Sequence, residues 1–209
     1  MAEDGAGVAD GLIRAGRRFD ARGWVLGTSG NFSAVTSRDP LRLAITRSGT
    51  HKGELTRADI LEYGDGRVLS GTGSASAETR LHLAIVVERA AGSVLHTHSI
   101  WSTLLSHRCA APGGLAISGY EMLKGLAGVT THEHREWLPI LENDQDMERL
   151  SAEVVRVLRE HPGCHGFLLR RHGLYTWGAD VADAVRHVEI LEFLLESVAR
   201  SEEAASWRW

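Results

Sequence analysis

Strand-like and helix-like segments alternate along almost the whole chain and are joined by short connections, with no linker-like stretch, internal repeat or low-complexity run. Two pairs of alternating apolar and polar segments flank turn sequences, one at residues 37–40 and the other at 64–66, and each pair predicts a β-hairpin. Apolar residues at helical spacing predict helices over 8–22, 77–90, 146–161 and 179–203. Because hairpins join antiparallel strands, this order predicts one α/β domain over residues 1–209 with a mixed or antiparallel sheet.

The composition is that of a globular protein and excludes several function classes. Of the 209 residues, 43% are hydrophobic and 24% are charged, which is enough apolar material for a core without disulfides. The formal net charge of −4 gives no bulk attraction to nucleic acid, and no apolar stretch approaches the ~20 residues of a transmembrane helix. Cys109 and Cys164 have no CxxC spacing and no signal peptide precedes them, so we expect a cytoplasmic protein.

The segment 95–99 (LHTHS) places His96 and His98 at the end of a predicted strand. Residues i and i+2 of a strand point to the same face, so both imidazoles can converge on one ion. An isolated pair of this kind fits two polar histidines at a strand end equally well. His172, which has apolar residues on both sides and is followed by Gly173, is the best candidate for a third ligand. Three imidazoles would leave one coordination position open, as in a catalytic zinc site.

Two glycine-containing segments are candidates for holding an anion, residues 27–33 (GTSGNFS) and 47–53 (RSGTHKG). They combine glycine turns with hydroxyls, an amide and an ammonium, a set of donors that suits a phosphate. Neither segment matches a Walker loop or a dinucleotide fingerprint, and each alone is more often an ordinary turn. The candidate donors are Thr28, Gly30, Asn31, Ser48, Gly49 and Lys52.

Two glutamates are candidates for acid–base chemistry. Glu78 follows Ser76 at the predicted start of a helix, where small residues and an acid in the first turn also make an ordinary N-terminus. Glu121 lies in the segment GYEMLKG with Lys124 three residues later, a spacing that on a helix gives an ordinary surface ion pair. Lys52 and Lys124 are the only lysines among 23 basic residues, and a general preference for arginine explains that ratio. The two remaining lysines are therefore candidates for a role that arginine cannot fill.

The other histidines are expected to be solvated or to make structural hydrogen bonds. This group comprises His51, His82, His107, His161, His165 and His187. His132 and His134 form a second HxH pair, but the charged residues around them indicate a polar edge rather than a site.

Taken together and in this order, these segments resemble the class II aldolase/adducin family over about residues 10–200. GTSGNFS is similar to one phosphate loop of that family and ITRSGTHKG to the second, while SAE, HTHS and the later HG resemble its acidic element, metal pair and third ligand. The segments SGTHKGEL, SAET, GYEMLKG and HREWLPILENDQDM are most similar to a dehydratase branch. Ala77 stands where the aldolases have a second serine, which removes one phosphate hydroxyl.

The resemblance implies a single three-layer α/β/α domain around a largely antiparallel sheet, assembled as a homotetramer with active sites near subunit interfaces. It also implies a sugar-phosphate substrate, no nucleic-acid or membrane partner, and one Zn²⁺ per subunit held by His96, His98 and His172. In the aldolases the acid–base group is the glutamate matching Glu78, whereas in the dehydratases it is the glutamate matching Glu121. The residues expected to bind substrate are Thr28, Gly30, Asn31, Ser48, Gly49, Lys52, Ser76 and Lys124.

The expected reaction is the dehydration of a 2-keto-3,4-dihydroxy sugar phosphate. A base removes the C3 proton beside a C2 carbonyl polarised by zinc, and the C4 hydroxyl leaves as water. One alternative is a sugar-phosphate aldolase or epimerase on the same scaffold, because the same metal and phosphate sites can serve cleavage of C3–C4. The other is a metal-free interaction module similar to the adducin head, against which the intact histidines and Glu121 argue.

Overall fold

The computed structural model describes residues 5–206 of the chain, and the predicted domain limits at 1 and 209 lie outside them. The helices are α1 (Gly5–Asp20), α2 (Thr79–Arg89), α3 (Ile100–Arg108), α4 (Met147–Glu160) and α5 (Val181–Ser206). The strands are β1 (Asn31–Arg38), β2 (Leu41–Thr46), β3 (Ile60–Gly64), β4 (Arg67–Ser70), β5 (Ser93–Thr97), β6 (Gly114–Ile117), β7 (Glu136–Leu141), β8 (Gly166–Leu169) and β9 (Gly173–Gly178). Three short 3₁₀ helices lie at Lys52–Glu54, Arg57–Asp59 and Glu121–Gly125.

The strands form one nine-stranded sheet in the order β4-β3-β2-β1-β5-β9-β8-β7-β6. Every neighbouring pair is antiparallel except β7 and β8, which run parallel. The two predicted hairpins are β1–β2 and β3–β4, so the expectation of a largely antiparallel sheet is confirmed. The parallel pair arises because α4 lies between β7 and β8 in the chain and returns it to the same end of the sheet.

Helices cover both faces of this sheet. Successive residues of a strand point to opposite faces, and Val94 packs in a cluster with α2 and α4 while Leu95 packs in a cluster with α1 and the start of α5. On β9, Leu174 likewise joins a cluster with α3 and α5, whereas Tyr175 joins the α2–α4 side. The central strands are thus buried on both faces, which gives the expected three-layer α/β/α arrangement.

The helix boundaries follow local signals that the sequence only partly displays. Helix α1 ends at Asp20 rather than residue 22, because the chain turns back there and Gly23 adopts a left-handed conformation with φ of 71°. Helix α4 begins after Asp146, whose side chain accepts hydrogen bonds from the backbone amides of Glu148 and Arg149. Between residues 5 and 206, no helix is long and apolar enough to cross a membrane.

The sheet brings three strand ends together at one edge. Asn31, the first residue of β1, lies opposite His96 near the end of β5, and His96 in turn lies opposite Tyr175 of β9. Because both pairings are antiparallel, the beginnings of β1 and β9 meet the end of β5. The turn between β8 and β9, which carries His172, lies at the same edge.

Candidate active site

His96 and His98 lie side by side at the end of β5, as the strand spacing predicts. Their Nε2 atoms are 2.7 Å apart, and His96 is completely buried. The Nδ1 atom of His96 donates to the carbonyl oxygen of Leu174 at 2.9 Å, which leaves a lone pair on Nε2. Burial, together with the neighbouring His98 and His172, holds the pKa of His96 well below its usual range, and burial lowers the pKa of His98 to about 4.

His172 completes a cluster of three imidazoles. Its Nε2 atom lies 3.3 Å from that of His96, and burial lowers its pKa. Arg171, with φ of 56°, forms the left-handed turn that precedes it. Gly173 is needed next because a Cβ atom there would lie 2.1 Å from the carbonyl oxygen of Thr97. The chain can therefore bring His172 against β5 only with glycine at this position.

The chemistry of this cluster fits a divalent metal ion. Neutral imidazole is the form that ligates a metal, and burial keeps His96, His98 and His172 neutral at pH 7. The three nitrogens face one another at one point and can form a three-coordinate set with an open position.

Glu78 lies directly beside the histidines. Its Oε1 atom is 3.4 Å from Nε2 of His172, and its Oε2 atom is 3.8 Å from Nε2 of His96. Glu78 is the residue immediately before α2. From the sequence alone it could equally be an ordinary acidic residue at a helix N-terminus. Asn31 fixes the carboxylate by donating from Nδ2 to Oε2 at 2.6 Å. The structure thus brings one of the two candidate glutamates to the candidate metal ligands.

The two candidate anion segments line one cavity of about 160 Å³ that reaches His98 and Glu78. Its walls include all the predicted donors of these segments and the predicted Ser76, two residues before Glu78: Thr28, Gly30, Asn31, Ser48, Gly49, Lys52 and Ser76. Gly30 has φ of 72°, and a Cβ atom there would lie 2.6 Å from the carbonyl oxygen of His96. The glycine lets the first segment pass tightly over β5, so that the cavity and the histidines adjoin.

Lys52 supplies a buried positive charge to this cavity. Its Nζ atom donates to the carbonyl oxygens of Thr50 at 2.7 Å and Thr28 at 3.2 Å, and burial lowers its pKa to about 8. Its charge also contributes to the lowered pKa of His98, which shows that the ammonium and the histidines share one electrostatic environment. An anion between them would compensate the charge of Lys52.

Sequence reasoning missed two residues of this region. Arg47 lines the cavity, and its guanidinium contacts Asp59 at 2.6 Å. It lies inside one of the candidate anion segments, so its positive charge was the sequence signal that could have identified it.

The second residue is Tyr175, which stacks on His96 with ring centroids 3.9 Å apart and an interplanar angle of 13°. Burial and the nearby carboxylate of Glu78 raise the pKa of Tyr175 well above its usual range, although its hydroxyl does not reach hydrogen-bond geometry with any described residue. Tyr175 had no local sequence signal, because only the pairing of β5 with β9 places it against His96.

Glu121 and Lys124 lie apart from the histidine cluster within a single chain. In the described part of the chain, the carboxylate of Glu121 lies 2.6 Å from Nζ of Lys124 and 3.8 Å from Nδ1 of His132. The side chain of Glu121 is 71% exposed, and Lys124 lowers its pKa. The ordinary i,i+3 ion pair that the spacing allowed is present, and it sits on the surface.

A second group of ligand-type side chains lies elsewhere, at the edge of β7. Glu136 is buried, and its Oε2 atom accepts hydrogen bonds from Nε2 of His134 and Nδ1 of His165, both at 2.9 Å. The other ring nitrogen of His165 donates to the carbonyl oxygen of Ala127 at 2.8 Å. His165 thus makes structural hydrogen bonds, one of the two outcomes expected for it. Ordinary hydrogen bonds and opposite charges account for this group.

Comparison with known proteins gives a consistent picture. The family model of the class II aldolase and adducin N-terminal domain matches residues 10–198. The chain is 48% identical over 191 residues to the methylthioribulose-1-phosphate dehydratase of Methylococcus capsulatus, covering 90% of this chain and 91% of that protein. It is 46% identical over 187 residues to the methylthioribulose-1-phosphate dehydratase of Pseudomonas aeruginosa, covering 88% of this chain and 90% of that protein.

Solved structures resemble the fold. The L-fuculose-1-phosphate aldolase from Thermus thermophilus superposes with a TM-score of 0.78 at 23% identity, covering 97% of this chain and 99% of that one. A sugar-phosphate aldolase from Thermotoga maritima gives a TM-score of 0.71 at 19% identity, covering 97% of this chain and 98% of that one. At these identities the likeness concerns the architecture alone.

Proposed function

Because the chain belongs to the class II aldolase and adducin family, we propose that it uses that scaffold, as a single domain, for the reaction of the methylthioribulose-1-phosphate dehydratases. The reaction is the dehydration of 5-methylthioribulose 1-phosphate to 2,3-diketo-5-methylthiopentyl 1-phosphate and water, a step of methionine salvage. The observation that carries the proposal is identity of 46–48% with such dehydratases over about nine tenths of the chain. We also propose a cytoplasmic location, which suits two cysteines, Cys109 and Cys164, that form no disulfide.

The substrate phosphate would occupy the cavity between the two glycine-containing segments. Lys52 and Arg47 supply positive charge there, and Ser48 supplies a hydroxyl. Since His98 and Glu78 line the same cavity, a phosphate bound in it directs the sugar chain toward the histidine cluster. The C1 phosphate and the C2 carbonyl are adjacent in the substrate, which suits two adjoining sites.

His96, His98 and His172 would hold the metal ion, which we propose to be one Zn²⁺ per subunit. When bound, zinc supplies Lewis-acid stabilisation for negative charge on the C2 oxygen of the substrate. The role of the chain is to keep the three imidazoles neutral and oriented. His96 shows how: the backbone oxygen of Leu174 holds its Nδ1 proton, and Tyr175 stacks on its ring.

Glu121 is the proposed acid–base group. Its carboxylate takes the C3 proton, and the electron pair of the C3–H bond moves toward the C2 carbonyl. Return of those electrons expels the C4 hydroxyl, which leaves as water after Glu121 gives back the proton. The C3 enol that results then becomes a ketone by moving its hydroxyl proton to C4. Lys124 holds Glu121 ionised through their 2.6 Å contact, and Glu78, beside the histidines, assists.

The exposed position of Glu121 makes the proposed homotetramer part of this mechanism. Glu121 and its neighbour Met122 lie on the surface of the chain, and Phe193 is a further exposed apolar side chain on α5, against which segment 121–125 packs. We propose that this surface meets a second copy and that Glu121 reaches the histidines of that copy. Chains carrying His172→Ala and chains carrying Glu121→Gln, each inactive alone, should then regain activity when they are co-expressed. Absence of activity in purified mixed oligomers would contradict a contribution from the second copy.

The experiment that tests the function is turnover of 5-methylthioribulose 1-phosphate by the purified protein with and without a chelator. Loss of water to give the diketone, abolished by the chelator and restored by zinc, is the expected result. Release of a smaller carbonyl fragment would instead identify an aldolase. A protein that contains no metal and leaves the substrate unchanged would identify an interaction module.

A further inference from the structure

A chain of hydrogen bonds runs from the core of the protein to the carboxylate beside the histidine cluster. The Oγ atom of Ser33 lies 2.7 Å from Nδ1 of His82, and Nε2 of His82 makes a short hydrogen bond with Oδ1 of Asn31. Asn31 then donates from Nδ2 to Oε2 of Glu78 at 2.6 Å. These contacts join residues up to 51 positions apart in sequence, so the fold alone creates this chain.

For a neutral His82 ring, only one arrangement of protons satisfies these contacts. A carboxylate oxygen only accepts, so the amide nitrogen of Asn31 must face Glu78 and its carbonyl oxygen must face His82. That oxygen also only accepts, so the proton of the His82 ring must be on Nε2. The remaining nitrogen, Nδ1, then has a lone pair and accepts the hydroxyl proton of Ser33.

The surroundings of His82 support a neutral ring with a single proton. The side chain is completely buried in α2, and burial lowers its pKa to about 3. Its ring packs edge-on against Tyr175, with centroids 5.9 Å apart, and Tyr175 stacks on His96. His82 therefore contacts the site through the amide of Asn31 and the ring of Tyr175.

We infer that His82 is a positioning residue whose Nε2 proton fixes the amide of Asn31 and, through it, the carboxylate of Glu78. With Oε2 of Glu78 held by Asn31, Oε1 faces Nε2 of His172 at 3.4 Å. Without the His82 proton the amide of Asn31 can rotate, and Glu78 loses its fixed direction. The inference rests on the proposed function only in that it gives Glu78 a part in catalysis.

The decisive variants are His82→Gln and His82→Leu in the zinc-loaded protein. Glutamine can place an amide N–H near the position of Nε2 and so keep the donor to Asn31, whereas leucine fills the space without any donor. Ile85→Ala is the matched control, because Ile85 is also fully buried on α2 but lies outside the hydrogen-bond chain. Any loss of stability common to the three variants measures packing alone.

We expect His82→Leu to lower kcat roughly 10–100-fold, the usual cost of losing an outer-shell partner, with little change in KM. His82→Gln should recover most of that loss, and Ile85→Ala should keep the parent kcat in spite of a lower Tm. If His82→Leu turns over like the parent, or if His82→Gln is as slow as His82→Leu, the inference is wrong.

A second measurement does not depend on the reaction. Nitrogen-15 NMR of the parent protein should show the His82 proton on Nε2, and the side-chain amide signal of Asn31 should shift in His82→Leu but not in His82→Gln. A ring protonated on Nδ1, or an Asn31 amide that is the same in all variants, overturns the inference. Failure of the proposed function would appear separately, as a parent protein that does not dehydrate the substrate.

Discussion

The Nε2 atom of His172 lies 3.3 Å from the Nε2 atom of His96, although 76 positions separate them in the chain. With His98 only 2.7 Å from His96, three nitrogens that burial keeps neutral are crowded around one point. No placement of protons gives a favourable hydrogen bond between every pair of the three imidazole nitrogens. A metal ion bound at the centre of the three would accept a lone pair from each of them and so satisfy three lone pairs at once.

We expect His172→Ala to lose metal and activity while the protein stays folded, because two imidazoles leave the ion with too few ligands. His96→Ala and His98→Ala should behave in the same way. Metal content per chain after dialysis, with circular dichroism as the test of folding, measures the effect. His161→Ala, a histidine outside the cluster, is the control and should keep its metal. Tight zinc binding by His172→Ala would remove His172 from the ligand set.

Ser48→Ala should raise KM for the phosphorylated substrate with a small effect on kcat. The hydroxyl lines the cavity beside Lys52, and a hydrogen bond to a charged group contributes roughly 1.5–3 kcal/mol, which corresponds to about 10–150-fold in KM. Ser37→Ala, a change at the distant hairpin turn of β1, is the control. An unchanged KM in Ser48→Ala would place the phosphate elsewhere.

Lys52 should make substrate binding sensitive to pH in the mildly alkaline range. Burial lowers its pKa to about 8, so the ammonium loses its charge as the pH rises through that value, and attraction for the phosphate falls with it. We expect kcat/KM to decline above about pH 8 in the parent. In Lys52→Arg this decline should be absent, because a guanidinium stays protonated, even if the overall activity is lower. The same alkaline decline in both proteins would assign it to another group.

Much of this site could be predicted from the sequence because its signals are local. The i,i+2 spacing of His96 and His98 on a strand makes both side chains point in the same direction. The glycine after His172 indicates that the backbone there turns tightly and lies close to another strand. The hairpins were predictable for the same reason, since turn residues and alternation lie within a few positions of one another.

What escaped prediction depends on contacts between distant segments. The sequence gives His82 no feature that separates it from other histidines on helices, and only the packing of α2 beside β1 brings its ring to Asn31. Tyr175 acquires its place from the register of β9 against β5. The exposure of Glu121 depends on how segment 121–125 packs against α5, which no local pattern encodes.

The Glu136–His165 pair should stabilise the fold most strongly in mildly acidic solution. For Glu136, burial opposes ionisation, but hydrogen bonds and charge from His165 and His134 outweigh it and lower the pKa below 4.5. For His165, burial also opposes the charged form, but Glu136 outweighs it and raises the pKa above 6.5. The contribution of the Glu136 carboxylate to the free energy of unfolding is lost as the pH falls below 4.5. The contribution of the His165 imidazolium is lost as the pH rises above 6.5. The pair therefore contributes fully between these two values.

Glu136→Gln should accordingly lower the free energy of unfolding by roughly 3 kcal/mol near pH 5.5, because it leaves a buried imidazolium without its partner. The difference from the parent should be smaller at pH 9 than at pH 5.5, because the stabilisation by the His165 imidazolium falls as the pH rises above 6.5. Urea denaturation at the two pH values measures it, with Glu196→Gln, which breaks an exposed ion pair with Arg200, as the control. If Glu136→Gln lowers the free energy of unfolding equally at both pH values, Glu136 does not stabilise the fold through its charge.

The last prediction separates the two glutamates. Glu78 is fixed beside the histidines, whereas Glu121 lies on the surface, in a segment that only the sequence resemblance connects with the dehydratases. We expect Glu121→Gln to keep its zinc and its KM but to lose roughly 10²–10⁴-fold in kcat, because the amide has nearly the same shape as the carboxylate and cannot carry the proton.

Glu78→Gln should have a smaller effect on kcat, since the glutamine can still accept from Asn31 on one side and face His172 on the other. Metal content, KM and kcat of the two variants, measured side by side with Glu196→Gln as the control, distinguish the roles. If Glu78→Gln is inactive while Glu121→Gln turns over normally, the base is Glu78. The site would then work with the acid–base group of the aldolases, and the exposed glutamate would be a surface ion pair and nothing more.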